Sequence, residues 1–266
     1  MPAQAEIVFG VDFVQLKGSA LWQKFEPQFI NQIGILETYR KSCGFDPVKT
    51  IERVTFAGNS TGPNRFTGVA VVRGVDSGRA MECITKNAQQ IGTVSNDGGV
   101  LIVKQQNMAD PMAVTAVDPT TIVVQVDTTV NAGSMKAVLR AGAPLRSSPT
   151  FMKLYERREK GASMWGMANG TSKLFEPIAS MGIKPKAVDG TLTVSDKFSG
   201  MIRATFSSPE EAKKLADDIN RTAAMAKRFV EKLNVRADGP MVIIDGAVTE
   251  AQLRTMMSMM GGMLGP

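Results

Sequence analysis

Cysteine and methionine are the residues with the most chemistry to offer here, because the chain contains no histidine. The commonest general base and metal ligand is therefore missing. Ser-His-Asp and Cys-His catalysis, His-containing zinc sites and His-ligated haem are excluded within the chain. Two cysteines cannot supply the four thiolates of a Cys-only zinc or iron–sulfur site. What remains is the pair Cys43 and Cys83, and a run of methionines at Met256, Met257, Met259, Met260 and Met263. Thioether clusters hold Cu(I), and Met-rich helices form adaptable partner surfaces. A third reading is a last helix that docks its Met face on the core and frays at Gly261-Gly262. Beyond that candidate copper site, the residues imply no metal and no cofactor.

Cys43 closes the first long helical stretch, and Cys83 lies about two turns into the second. If the two helices run antiparallel on one face of a sheet, the end of the first lies near the start of the second. A Cys43–Cys83 disulfide is then within reach. It would close a loop of about 40 residues, contribute roughly 3–4 kcal/mol and imply an oxidising compartment. The alternative is two small buried apolar residues. A nucleophilic Cys43 is disfavoured, because a helix C-terminus raises a thiol pKa where a nucleophile needs it lowered.

Other residues are weaker candidates. Asp12, Asp46, Asp127 and Asp245 fall near element ends, where a carboxylate first serves to cap a turn. Trp22 and Trp165 are expected in the core. Gly58-Asn59-Ser60-Thr61-Gly62 lacks the Lys and the helix start of a phosphate-binding loop. Asn59, Asn169 and Asn220 open glycosylation-type triplets, the last in mid-helix. No acid/base pair is visible from spacing, and no catalytic residue is expected.

The elements that must position these residues come from a globular composition. Of 266 residues, 43% are hydrophobic and 21% charged, which is neither disordered nor fibrous. No apolar run reaches the roughly 18 residues of a membrane-spanning helix. Residues 1–120 are charge-neutral, and the whole net charge of +6 falls in residues 121–266. That imbalance favours an anionic surface or a merely basic solvated face. The opening MPAQAEIVFG lacks a signal peptide's pattern, so a cytoplasmic chain or the mature part of an exported one is expected.

Three pairs of segments recur in one order. LKGSALWQKF (16–25) matches LRSSPTFMKL (145–154), FTGVAVVRGVDSGRAMECI (66–84) matches FSGMIRATFSSPEEAKKLA (198–216), and VSNDGGVLIV (94–103) matches VRADGPMVII (235–244). An internal repeat is the better reading, with a first α+β repeat at 1–120 and a second at 121–266 that carries insertions and the Met-rich helix.

In the first half, strands are expected at 7–13, 51–57 and 66–73, with a turn-rich loop at 58–64. Ser19 caps a helical stretch to 43–44 that Pro27 and Gly34 should break or kink. Asp76 caps a helix to about Gln90, and Asn96-Asp97-Gly98-Gly99 makes a hairpin of 93–95 and 100–104. In the second half, strands are expected at 122–126, 163–168, 191–195, 198–206 and 241–244, with a helix at 149–160. Ser208-Pro209-Glu210-Glu211 starts a helix expected to reach about Leu233. Thr249 and Gln252 form the capping box of the last helix. The predicted fold is two tandem ferredoxin-like βαββαβ repeats, an antiparallel sheet with helices mainly on one face and a pseudo-twofold between the halves. That scaffold also serves RNA recognition, but stacking aromatics are scarce on the central strands, so nucleic acid is not the expected partner.

The segments MPAQAEIVFGVD, LKGSALW, CGFDPVKTIERVTFAG and the VVRG before a helix resemble an uncharacterised family of myxobacterial-type, deltaproteobacterial envelope proteins, many of them lipoprotein-like. The likeness rests mainly on residues 1–84. It implies a secreted or periplasmic setting and carries over no catalytic residues. The expected function is a non-enzymatic envelope protein binding a partner protein or surface. The alternatives are a small-molecule-binding protein with its ligand between the repeats, and a hydrolase or transferase working without histidine.

Overall fold

The computed structural model describes residues 4–32, 40–62, 65–106, 109–141, 144–223 and 229–263. The chain divides into two compact units: Met1–Val14, Glu26–Glu156 and Ser172–Leu174 in the first, Gln15–Phe25, Arg157–Thr171 and Phe175–Pro266 in the second. Both are α+β, with strands paired antiparallel.

In the first unit the strands are β1 (Ile7–Asp12), β2 (Arg53–Gly62), β3 (Arg65–Arg73), β4 (Gly92–Asp97), β5 (Val100–Gln105), β6 (Met112–Asp118) and β7 (Thr121–Val126). They neighbour one another in the order β1-β2-β3-β7-β6-β5-β4. The segment between β1 and β2, of which Gln15–Phe25 belongs to the second unit, holds α1 (Phe13–Lys17), α2 (Ala20–Gln32) and α3 (Pro47–Thr50). Ser19 caps α2 by accepting from the Trp22 N–H at 3.1 Å. The helix continues through Pro27 instead of ending there; Gly34 lies outside the described residues. Between β3 and β4 runs α4 (Ser77–Ile91), capped by Asp76, whose carboxylate accepts from the Arg79 N–H at 3.0 Å. The α5 helix (Ala132–Arg140) opens on a capping box of Asn131 and Ser134, and α6 spans Pro149–Glu156.

Register decides what each face of this sheet buries. Leu101, Val103, Val114 and Val124 point to one side and pack under α4 with Met81, Ile84 and Ala88. Val69, Val100, Ala113 and Val123 point to the other and pack under α5 with Ala132 and Met135. Helices therefore cover both faces, which corrects the expectation of helices mainly on one. The cause is visible in β5 (VLIVKQ) and β7 (TIVVQV). Consecutive apolar residues bury both sides of a strand, as alternating ones do not.

Three further expectations change. A ferredoxin-like unit splits its first βαβ by inserting another strand; here β1 pairs directly with β2, and β2 with β3. And β7, expected to open a second repeat, pairs with β3 and β6 inside the first unit. Of the supposed loop 58–64, residues 58–62 are strand, with a register shift between Ser60 and Gly62.

In the second unit the strands are β8 (Met164–Asn169), β9 (Ala187–Val194), β10 (Lys197–Thr205), β11 (Lys232–Asp238) and β12 (Met241–Thr249), in the order β11-β12-β10-β9-β8. The short α7 (Glu176–Ala179) lies between β8 and β9, and α8 (Pro209–Thr222) between β10 and β11. Ser208 caps α8 by accepting from the Glu211 N–H at 3.3 Å. The helix ends at Thr222 and not near Leu233; residues 224–228 are outside the described set, and Lys232 already begins β11. Ala212, Leu215, Ala216 and Ile219 of α8 pack on Ala204, Val235, Val242 and Ile244. Last comes α9 (Glu250–Met263), opened by Thr249 and Gln252: the Thr249 N–H donates to Gln252 Oε1 at 3.0 Å.

Candidate functional site

One face of the second unit's sheet is apolar and lies under α8. The other carries polar and charged side chains at most alternate positions, Asp189, Thr191 and Thr193 on β9, Arg203 on β10, Asp245 on β12, and Lys232, Asn234 and Arg236 on β11, with Met201 and Ile243 set among them. The register sets Arg203 opposite Asp189, Met201 opposite both Thr191 and Asp245, and Asn234 opposite Asp245. Strand alternation thus gathers residues from four strands into one polar strip.

Asp189, only 3% exposed, is held by two arginines. Arg203 takes one carboxylate oxygen with two donors, Nε at 2.7 Å and Nη2 at 2.6 Å. Arg157 reaches the other with Nη2 at 3.0 Å. The two arginines are also tied together, since Arg203 Nη2 donates to the Arg157 carbonyl at 2.9 Å. Arg157 Nη1 points at the Met241 sulfur, 3.1 Å away. A carboxylate this buried needs such partners, because burial without them costs several kcal/mol per ion.

Asp245 is the second anion of the strip. Its Oδ1 accepts from Arg236 Nη1 at 2.5 Å and Asn234 Nδ2 at 3.1 Å, and Lys232 Nζ lies 2.7 Å from Oδ2. The bond from Lys232, helped by those from Arg236 and Asn234, holds the Asp245 carboxyl below the usual carboxylate range against the opposing effect of burial. The strip therefore sets four cations against two carboxylates, and each carboxylate is bound by two of the cations.

The residues singled out in the sequence are placed as follows. Cys43 and Cys83 are joined by a disulfide in the first unit, with Cα atoms 5.1 Å apart. Met256 is half-buried on α9; Met257, Met259, Met260 and Met263 lie outside the residues whose side chains are described. Asp12 pairs with Arg53 at 3.0 Å, Asp46 pairs with Arg40 at 2.6 Å and caps α3 through the Val48 N–H, and Asp127 accepts from the Thr128 N–H at 2.7 Å. Asp245 alone of these carboxylates joins the polar strip. Trp22 and Trp165 are half-buried. Asn220 donates to the Val235 carbonyl at 3.0 Å, and Asn59 accepts from the Glu6 N–H at 2.9 Å. Among the described residues no group of three Cys, Asp or Glu side chains is arranged to hold a metal ion. No described helix is long and apolar enough to cross a membrane. Arg157, Asp189, Thr191 and Arg203 carry no sequence motif; the alternation Asp189-x-Thr191-x-Thr193 is the one local signal.

Compared with known proteins, the chain matches no family model, no curated protein and no solved structure.

Proposed function

We propose that the chain is a non-enzymatic protein of the cell envelope whose second unit engages an anionic partner surface through its polar sheet face. The observation that carries this reading is the charge arrangement of the strip. Lys232 and Arg236 remain 63% and 45% exposed while holding Asp245, and their carboxylate partner is already neutralised. Such a face presents positive charge without offering a free base. The Cys43–Cys83 disulfide supports an oxidising compartment, as does the resemblance to exported envelope proteins.

A common origin for the two units belongs to the same reading. Each runs through three antiparallel strands, a helix capped by Asp76 or Ser208, and later strands of which the last returns to the third: β7 to β3, and β12 to β10. The first unit then contains an additional hairpin, β4-β5.

Co-sedimentation with vesicles tests the binding. The protein should pellet with phosphatidylglycerol-containing vesicles and not with pure phosphatidylcholine, and K232E/R236E should abolish the difference. Equal pelleting on both vesicle types, with no retention on heparin resin, would overturn the reading.

A further inference from the structure

The two units end their strand orders differently. In the first, β4 stands at the end beside β5; in the second, β11 stands at the end beside β12. Each is one arm of a tight hairpin, turning at Gly98-Gly99 and at Gly239-Pro240. The recurring segments VSNDGGVLIV and VRADGPMVII set Val94 on β4 against Val235 on β11, and Ser95 against Arg236. In such a hairpin the residues flanking the turn bond to each other, and alternate residues beyond them turn their backbone groups outward. Those residues are Val94 and Asn96 on β4, and Val235 and Ala237 on β11. On β11 the outward edge is blocked: Asn220 Nδ2 takes the Val235 carbonyl at 3.0 Å, and Lys232 and Arg236 line the strand with charge. On β4 the corresponding guards are missing. From Gly92 to Asn96 the strand carries no charge, and Thr93, Ser95 and Asn96 are exposed. The Asn96 side chain turns back to its own hairpin, accepting from the Gly99 N–H at 3.0 Å. Among the described residues no group bonds the outward N–H and C=O of Val94 or Asn96. An uncharged, uncovered edge is what a monomeric sheet avoids.

We infer that β4 is a dimerisation edge, against which a second copy of this chain lays its own β4 antiparallel. The contrast between the two edges selects that occupant. Pairing β4 with β11 of another copy is heterologous and builds rings or open filaments; Asn220, Lys232 and Arg236 stand against it. Pairing β4 with β4 is isologous and closes at two copies. It also sets no like charges opposite one another. With the twofold at Val94, Asp97 falls opposite position 91 of the other copy; with the twofold at Ser95, it falls opposite Thr93. The outward backbone groups of Val94 and Asn96 then find their partners across the axis.

Sedimentation velocity of the full chain, from about 1 to about 200 μM, tests it. An edge of 6 residues is far smaller than an obligate interface, so dimers should form in the micromolar range. T93K/S95K sets lysine opposite lysine for either position of the axis, and should raise the dissociation midpoint roughly tenfold or more. Ser95→Arg copies the charge that Arg236 supplies to β11 and should act in the same direction. Deuterium exchange of the wild type gives a reading that needs no variant. The Val94 and Asn96 amides should slow roughly tenfold from the dilute to the concentrated end, while Thr93 and Ser95, bonded within the hairpin, should not change. A wild type that stays monomeric up to about 200 μM would overturn the inference. So would a dimer that T93K/S95K leaves intact, or one in which the Val94 and Asn96 amides exchange at the same rate at every concentration.

Discussion

Asn87 donates its amide to the Cys83 carbonyl at 2.9 Å and lies 3.4 Å from the sulfur of the same residue, one helical turn earlier on α4. Its oxygen accepts from Ser42 at 2.7 Å, so this buried amide joins the two sides of the disulfide. Arg79 and Lys86 on the same helix donate to the carbonyls of Gly44 and Ser42 at 3.2 and 3.3 Å. The disulfide is therefore one of several ties from α4 to residues 42–44. Replacing both cysteines by serine should cost roughly 3–4 kcal/mol, the loop-closure value for this separation, and Asn87→Ala about 1–3 kcal/mol. Urea unfolding with and without reductant checks both: reductant should destabilise the wild type and leave the double-serine variant unmoved.

Arg65 and Asp110 form a two-pronged ion pair, Nε to Oδ2 at 2.6 Å and Nη2 to Oδ1 at 2.5 Å, tying the start of β3 to the segment before β6. The hydrogen bonds from Arg65 hold the Asp110 carboxyl below its ordinary value. A carboxylate with a lowered folded-state pKa binds fewer protons than in the unfolded chain. Its stabilising effect is present above the unfolded value, near 3.9, and is lost as pH falls through the folded one. Asp245 adds to the same acid limb. Asp110→Asn should be less stable than wild type at neutral pH, and the gap should begin to narrow as pH falls below about 4. Equal stability differences at pH 7 and pH 3 would reject this account.

Gly58 and Gly68 face each other across the β2-β3 pair, with the Phe56 ring over them. A Cβ on Gly68 would meet the Ala57 carbonyl, and Phe56 Cζ would lie 2.9 Å from it. Gly68→Ala should cost about 1–3 kcal/mol through overpacking. Adding Phe56→Ala should not restore the loss, because the backbone contact with Ala57 remains. Melting temperatures of the two variants decide it.

The second unit ends on β11, and strand ends of a sheet invite further pairing. Asn220 occupies the Val235 carbonyl from α8, while Lys232 and Arg236 line the same strand with charge. Removing these guards together, as N220A/K232T/R236T, should promote self-association in sedimentation velocity where the wild type shows less. No increase would mean that the strand is protected by something else.

Local chemistry was the legible part of the fold. Asp76, Ser208 with Glu211, and Thr249 with Gln252 announce their helices because a capping side chain bonds within three residues of itself. The Asn96-Asp97-Gly98-Gly99 turn is equally local, with Asn96 accepting from the Gly99 N–H. Pairing was not legible: β7 reads as a strand, yet nothing within TIVVQV says that it returns to β3. The end of α8 was misjudged because apolar residues at helical spacing continue past Thr222 into KLNVRAD, which forms a strand against β12. The helix α5 and the strand β6 are not foreseen in the sequence; Ala132 and Met135 of α5 and Ala113 and Val114 of β6 are fixed by what they pack against. The candidate site suffered most. Arg157 and Arg203 are 46 residues apart; the β9–β10 register brings Arg203 to Asp189, and the turn after α6 brings Arg157.

With α4 on one side and α5 on the other, the middle strands β3, β7 and β6 bury Val69, Ala113, Val114, Ile122 and Val123 between two helices. Their amides should be the slowest in the chain to exchange with deuterium, since reaching them means lifting a helix as well as parting a ladder. That trio would then mark the region that stays closed longest when the chain begins to open.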